Sequence, residues 1–152
     1  MSQEVLLKKE FPSTIWEFVL SSRAVYSKFF YSSKDIAVVK ENLKKLDLWE
    51  IKDKSISSLS IGQRQRVLLC RCLCVSEKII FLDEPTNSLD INVRKMLYDI
   101  LKKLNKEGLT IVMISHDEEA FKYSNRALVL GKENRVIENV LEKYEKGEIN
   151  FD

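Results

Sequence analysis

Ile79-Ile80-Phe81-Leu82-Asp83-Glu84-Pro85 is the stretch from which the rest of this 152-residue chain can be read. Its apolar run, following Lys78, is short and uncharged, as in a buried parallel strand. Such a strand presents Asp83 and Glu84 at its C-terminal end, where open α/β sheets place their ligands. Two adjacent carboxylates there can divide labour. The first can orient Mg2+ through bound water, and the second can hold and polarise an attacking water. Pro85 fixes the turn that follows. Acids at a strand end also cap the next helix, so the pair alone leaves both readings open.

Downstream, Asp90 is placed to cap a helix running through Glu107. Val93, Met96, Leu97, Ile100, Leu101 and Leu104 recur at helical spacing and form its expected buried face. Gly108 suits the left-handed position that ends such a helix. Leu109 to Ile114 reads as a second buried strand, followed by His116, the sole histidine. Parallel strands bring their C-terminal ends together, so His116 could approach Glu84. A lone histidine can equally be an ordinary surface or core residue. Asp117, Glu118 and Glu119 crowd the start of a short helix, where the helix dipole favours acids. Ala127–Leu130 and Arg135–Ile137 look like strands flanking a turn at Gly131. Residues 138–146 form a polar, charge-rich helix. Strands alternating with helices predict an α/β layer with a parallel sheet.

Upstream the pattern is helical. Ser13 or Thr14 opens a helix, with Glu17 as the capping-box acid and Ile15, Phe18 and Val19 at helical spacing. Tyr26 to Tyr31 is aromatic and basic, a loop or helix end. Asp35 to Leu46 reads as a second amphipathic helix, with Val38, Val39, Leu43 and Leu46 on its apolar side. Leu48 to Ser58 is polar and irregular. Residues 61–74 suggest a helix that starts from Ser60.

Charge is nearly balanced, with 25 basic and 23 acidic residues, which gives no argument for a nucleic-acid footprint. No apolar run approaches the roughly 20 residues that span a bilayer, and the N-terminus lacks a signal-peptide core. A cytosolic protein is expected, with membrane association only through a partner. Cys70, Cys72 and Cys74 alternate, so a helix puts Cys70 and Cys74 on one face and turns Cys72 away. That geometry fits small buried side chains better than a tetrahedral metal site.

Four segments stand in one order: Leu59-Ser60-Ile61-Gly62-Gln63-Arg64-Gln65-Arg66, the strand ending in Asp83-Glu84-Pro85, Ser88-Leu89-Asp90, and Ile114-Ser115-His116-Asp117. Together they resemble the second half of an ABC-transporter ATPase: its L-S-G-G-Q signature, Walker B strand, D-loop and switch histidine. The resemblance implies the α/β P-loop NTPase fold of the ABC ATPases, in incomplete form. A Q-loop remnant and helical subdomain would span residues 1–58. The signature, Walker B, D-loop and switch-histidine part of the core would span 59–140, and a polar tail 141–152.

It also implies roles. Glu84 and His116 would be catalytic, His116 contacting the γ-phosphate. Asp83 would serve Mg2+. Ser60, Gly62 and Gln63 would bind ATP held by a second ATP-binding subunit, and Asp90 would couple the two sites. A serine and backbone N–H groups at a helix start suit an anion. Ile61 departs from the family's glycine and crowds that approach. Phe11-Pro12-Ser13-Thr14-Ile15-Trp16-Glu17 resembles a segment of zinc, manganese or iron importers. It puts Gln3 at the place of the Q-loop glutamine that touches Mg2+; an unstructured terminal residue is the other reading. The implied partners are a transporter membrane subunit and a second ATP-binding subunit, at the cytoplasmic face of the cell membrane.

The first glycine is Gly62, so no G-x-x-x-x-G-K-[ST] loop precedes the signature within these residues. The expectation is therefore a partial ATPase that, alone, neither binds ATP tightly nor hydrolyses it. A non-catalytic module, or gene remnant, pairing with a complete subunit is the alternative. A chromosome-maintenance type of ATPase would carry long heptads before the signature, and residues 13–58 have none.

Overall fold

A computed structural model describes residues 13–25, 30–130 and 134–149. Gln3, Phe11, Pro12 and Gly131 lie outside the described residues, as does most of the Tyr26–Tyr31 stretch.

Helix α1 (Ile15–Leu20) starts at Thr14, whose hydroxyl accepts from the Glu17 amide while the Glu17 carboxylate accepts from the Thr14 amide. This reciprocal capping box satisfies two otherwise orphaned donors. A 3₁₀ turn, Ser21–Val25, follows. Helix α2 (Ser33–Lys45) repeats the device with Ser32 and Asp35. Helix α3 (Ile61–Val75) repeats it with Ser60 and Gln63. Val39, Leu43 and Leu46 of the expected α2 face are buried, and Val38 is half-buried. Cys70 and Cys74 are buried and Cys72 is half-buried, in line with the expected helix face. The hydrogen bond with the Cys74 side chain, first, and burial push the Cys70 thiol up, as for a structural core cysteine.

Residues 48–58 differ from expectation. Two 3₁₀ turns, Trp49–Ile51 and Ile56–Ser58, form this segment, and Leu48 and Ile56 are core residues. Short turns bury single side chains without a periodic pattern, so polarity hid them. The segment closes the helical region onto itself: the Ile15 and Trp16 amides donate to the Lys54 and Lys52 carbonyls at 3.0 and 2.9 Å.

Strand β1 (Ile79–Asp83) pairs in parallel with β2 (Thr110–Ile114), with Asp83 opposite Ile114. Helix α4 (Ile91–Lys106) connects them, capped by Asp90, whose carboxylate accepts from the Asn92 and Val93 amides. Leu97, Leu101 and Leu104 are buried as expected, whereas Val93, Met96 and Ile100 are only half-buried. Tyr98 joins the buried set instead. Gly108, at φ 102°, ends α4. The Leu109 amide bonds to the Leu104 carbonyl and the Gly108 amide to that of Asn105, a Schellman motif.

The expectation of fully buried strands is corrected. Ile80 is buried and Leu82, Ile111 and Met113 pack on the core, but Ile79, Phe81, Val112 and Ile114 are exposed on the other face. Nothing among the described residues covers that face. Strands β3 (Arg126–Val129) and β4 (Arg135–Glu138) form a separate antiparallel pair. A short helix, α5 (Val140–Glu145), follows.

Candidate functional site

The parallel pairing places the ends of β1 and β2 side by side. The Glu84 amide donates to the Ile114 carbonyl at 2.9 Å, which locks the residue after β1 to the end of β2. Glu84 then adopts a left-handed conformation, φ 48°, which is uncommon for a residue with a Cβ. Such backbone persists where surrounding structure over-determines it, typically at functional sites. The turn aims the Glu84 carboxylate toward His116: Nε2 and Oε1 are 3.3 Å apart.

The two side chains differ in setting. The His116 side chain is 95% exposed and that of Glu84 29%. Glu84 Oε1 itself is buried and has no hydrogen-bond partner among the described residues. This is the oxygen that faces His116 Nε2 at 3.3 Å, so the imidazole is its nearest polar neighbour but makes no well-aligned hydrogen bond to it. Asp83, one residue earlier, stands exposed at the strand end. Among the described residues no three His, Cys, Asp or Glu side chains converge closely enough to hold a metal ion by themselves, while the Glu84–His116 pair is spaced to orient and polarise a water.

Around this pair the structure is polar and tied together. Asp117 caps the 3₁₀ turn Glu118–Tyr123 through the Glu119 amide. Its amide donates to Ser115 Oγ at 3.0 Å, and its carboxylate accepts from the Tyr98 hydroxyl at 2.9 Å. Arg94 Nη1 lies 3.4 Å from the same carboxylate oxygen. Sequence reasoning missed Tyr98 and Arg94. The only available signal was two polar-tipped side chains four apart on a helix whose apolar face was otherwise clear.

Ser60, Gly62 and Gln63 cluster at the start of α3. The Ser60 hydroxyl accepts from the Gln63 amide at 3.3 Å, and Gln63 Oε1 accepts from the Ser60 amide at 3.1 Å. In this state both side chains serve the helix end. Gly62 is buried, and a Cβ there would lie 3.0 Å from Val93 Cγ1 on α4. Gly62 thus lets the first turn of α3 approach the helix that Asp90 caps. Ile61 is 58% exposed at the same helix start. No hydrogen bond or ion pair among the described residues joins Ser60 or Gln63 to Glu84 or His116.

The sequence profile of the ABC transporter family matches residues 2–87. The chain belongs to that family. A protein of Chlamydia muridarum named "Probable metal transport system ATP-binding protein" is 44% identical over 109 residues, covering 70% of this chain and 46% of its own length. The high-affinity zinc uptake system ATP-binding protein ZnuC of Bacillus subtilis is 34% identical, covering 71% of this chain and 48% of its own. Among solved structures, cbiO1 from Clostridium perfringens, part of the ABC transporter complex cbiONQ, superposes with a TM-score of 0.76. It is 27% identical and covers 91% of this chain and 55% of its own. The fold is that of the ABC ATPases, a P-loop NTPase α/β fold. The chain spans about half the length of the curated relatives it matches.

Proposed function

We propose that these residues are the signature-bearing part of the ATP-binding component of a transporter, with Glu84 and His116 at the hydrolytic centre. The observation that carries this is the approach of His116 Nε2 to the buried Glu84 Oε1 at 3.3 Å across paired strand ends. Asp83 would hold Mg2+, which supplies charge neutralisation on the phosphates when bound. Glu84 would orient and polarise the attacking water. His116, exposed on the same side, would reach the terminal phosphate. Gln3 would complete the Mg2+ contacts.

The triphosphate needs a P-loop as well, and no glycine precedes Gly62 in these residues. That loop would come from a segment outside them, on the same polypeptide or another. The exposed face of Ile79, Phe81, Val112 and Ile114 supports this, because bare apolar strand surface marks a contact. So does the sheet topology: among the described residues β2 pairs only with β1, and β3 only with β4. These residues alone would not turn over ATP.

Ser60, Gly62, Gln63 and Asp90 would face ATP held by a second ATP-binding subunit. A membrane subunit would dock on the helical region, keeping the protein at the cytoplasmic face of the membrane. The names of the relatives above point to metal-ion import as the process driven. The exposed Ile61 favours a second reading, a non-catalytic half-site: it stands where phosphate would approach the helix start.

ATP hydrolysis tests these readings. The chain would be assayed alone, then with a separately expressed P-loop segment of a relative, with and without Glu84→Gln. The expected result is no turnover alone and turnover in the mixture. Glu84→Gln should lower that turnover about 100-fold or more, the scale of a lost general base. Turnover in the mixture that ignores Glu84→Gln would sink the catalytic assignment. A mixture that assembles yet stays silent would favour the half-site.

A further inference from the structure

We infer that Tyr98 is a positioning residue, whose buried hydroxyl holds the loop carrying His116 in register with the loop carrying Glu84. The inference takes its purpose from the reading above, but its geometry stands separately.

Tyr98 sits in the middle of α4, the helix that crosses from β1 to β2, and is 1% exposed. A hydroxyl so placed must find partners, and it finds one on each side. It donates to Asp117 Oδ2 at 2.9 Å, and Asp117 is the residue after His116. It lies 3.5 Å from Thr86 Oγ1, and Thr86, itself buried, stands two residues after Glu84. The Asp117 contact is the stronger of the two by distance. Burial, first, and the Asp117 carboxylate push the Tyr98 phenol up to about 12, so it remains a neutral donor at all ordinary pH values.

Arg94, one helical turn earlier, repeats the arrangement. Its Nη1 lies 3.4 Å from Asp117 Oδ2 and its Nη2 donates to the Leu89 carbonyl at 3.4 Å. Both loops are thus held from one helix face, at positions four apart. The Tyr98 ring is stacked on Tyr123, with centroids 4.8 Å apart, which fixes the angle of the hydroxyl. His116 has no such support of its own. Its side chain is almost wholly in solvent, and among the described residues Glu84 is its one polar contact. Where His116 stands is therefore decided by the backbone beside it, and Asp117 is that backbone's anchor.

A phenylalanine would fill the same space without the hydroxyl, so the two roles of Tyr98 separate cleanly. His116 is the only histidine, so its imidazole protons give isolated NMR lines in the chain as it stands. In Tyr98→Phe the His116 Hε1 line should move by more than its own width. Asp117→Ala should do the same, and Asp117→Asn, which keeps only one of the two oxygens that accept from the Tyr98 hydroxyl and the Glu119 amide, should move it less. Leu101→Val, destabilising on the same helix but outside this set, should leave the line in place. A folded Tyr98→Phe whose line superimposes on wild type would overturn the proposal. Should that variant not fold, Thr86→Val decides from the other loop: a moved line supports the coupling, an unmoved one overturns it. The outcomes are independent of the hydrolysis test, since an insensitive Glu84→Gln would end the catalytic assignment and leave this coupling standing.

Discussion

In the helical region Ile15, Val19, Val39, Leu43 and Leu48 are completely buried, whereas in the strand region Phe81, Ile114 and Leu128 are 72%, 62% and 61% exposed. Polar groups divide the two regions less sharply, since the buried Ser13 Oγ, Arg64 Nε and Arg66 Nε also lack a hydrogen-bond partner among the described residues. Capping boxes close the starts of α1, α2 and α3, and Arg23 pairs with the buried Asp35 at 2.9 Å. At the strand ends, the buried Glu84 Oε1 has only the exposed His116 imidazole, at 3.3 Å, facing it among the described residues. The helical region has buried most of its apolar side chains within these residues. The other displays one face of an interface. The difference teaches that apolar burial marks the scaffold here, and a bare apolar face marks the place where other groups enter.

The sharpest way to break that contrast is to hollow the scaffold. Leu43→Ala should cost about 2–5 kcal/mol, since the site is sealed and cannot collapse freely. Urea unfolding would measure it, and a loss below about 1 kcal/mol would show the helical core to be looser than its burial implies.

Next comes the joint between the regions. Gly62→Ala places a methyl 3.0 Å from Val93 Cγ1 and should cost about 1–3 kcal/mol by overpacking. Val93→Ala should recover much of this in the double variant, because the two sites are in contact. Additive losses would mean that the clash lies elsewhere.

A smaller effect is set by pH. The Ser32 hydroxyl and amide, first, and then Arg23 hold the Asp35 carboxyl down to about 2 from an ordinary 3.8. The folded state therefore binds this proton more weakly than the unfolded chain. The stabilisation is complete above about pH 4 and is lost as pH falls through about 2. Acid titration of the urea midpoint should show this limb, and Asp35→Asn should flatten it. An unchanged acid limb in that variant would assign the loss to other carboxylates.

Smallest of all should be the change on the bare strand face. Phe81→Ser should alter the stability of these residues by no more than about 0.5 kcal/mol, as for other exposed sites. It should nonetheless weaken association with a P-loop segment, read by co-purification. A large stability loss would show that this face is covered after all.

How far the sequence carried this reading depends on the range of the forces involved. Thr14, Ser60 and Asp90 were legible as helix starts because a cap is satisfied within three residues. The approach of His116 to Glu84 was legible because parallel strands of equal length bring their ends together. Which strand face is bare was not legible, since periodicity in an apolar run cannot say whether a partner covers it. Leu48 and Ile56 were hidden by a polar setting and by turns without a period. Tyr98 was hidden because its role lies in contacts 12 and 19 residues away in sequence. Gln3 and the proposed division at residues 58 and 140 rest on resemblance alone.

Helix α3 is held at both ends. Its first turn is seated on α4 through Gly62. Its last turn is gripped by Arg23, which donates to the Cys74 carbonyl while paired with Asp35 at the start of α2. Fifteen residues at 1.5 Å each make a rod of roughly 22 Å. A rod pinned at both ends works as a connecting rod: a push at Ser60 arrives at the far side of the helical region with little lost to bending. The residues at the signature and those beside Arg23 would then move as one piece.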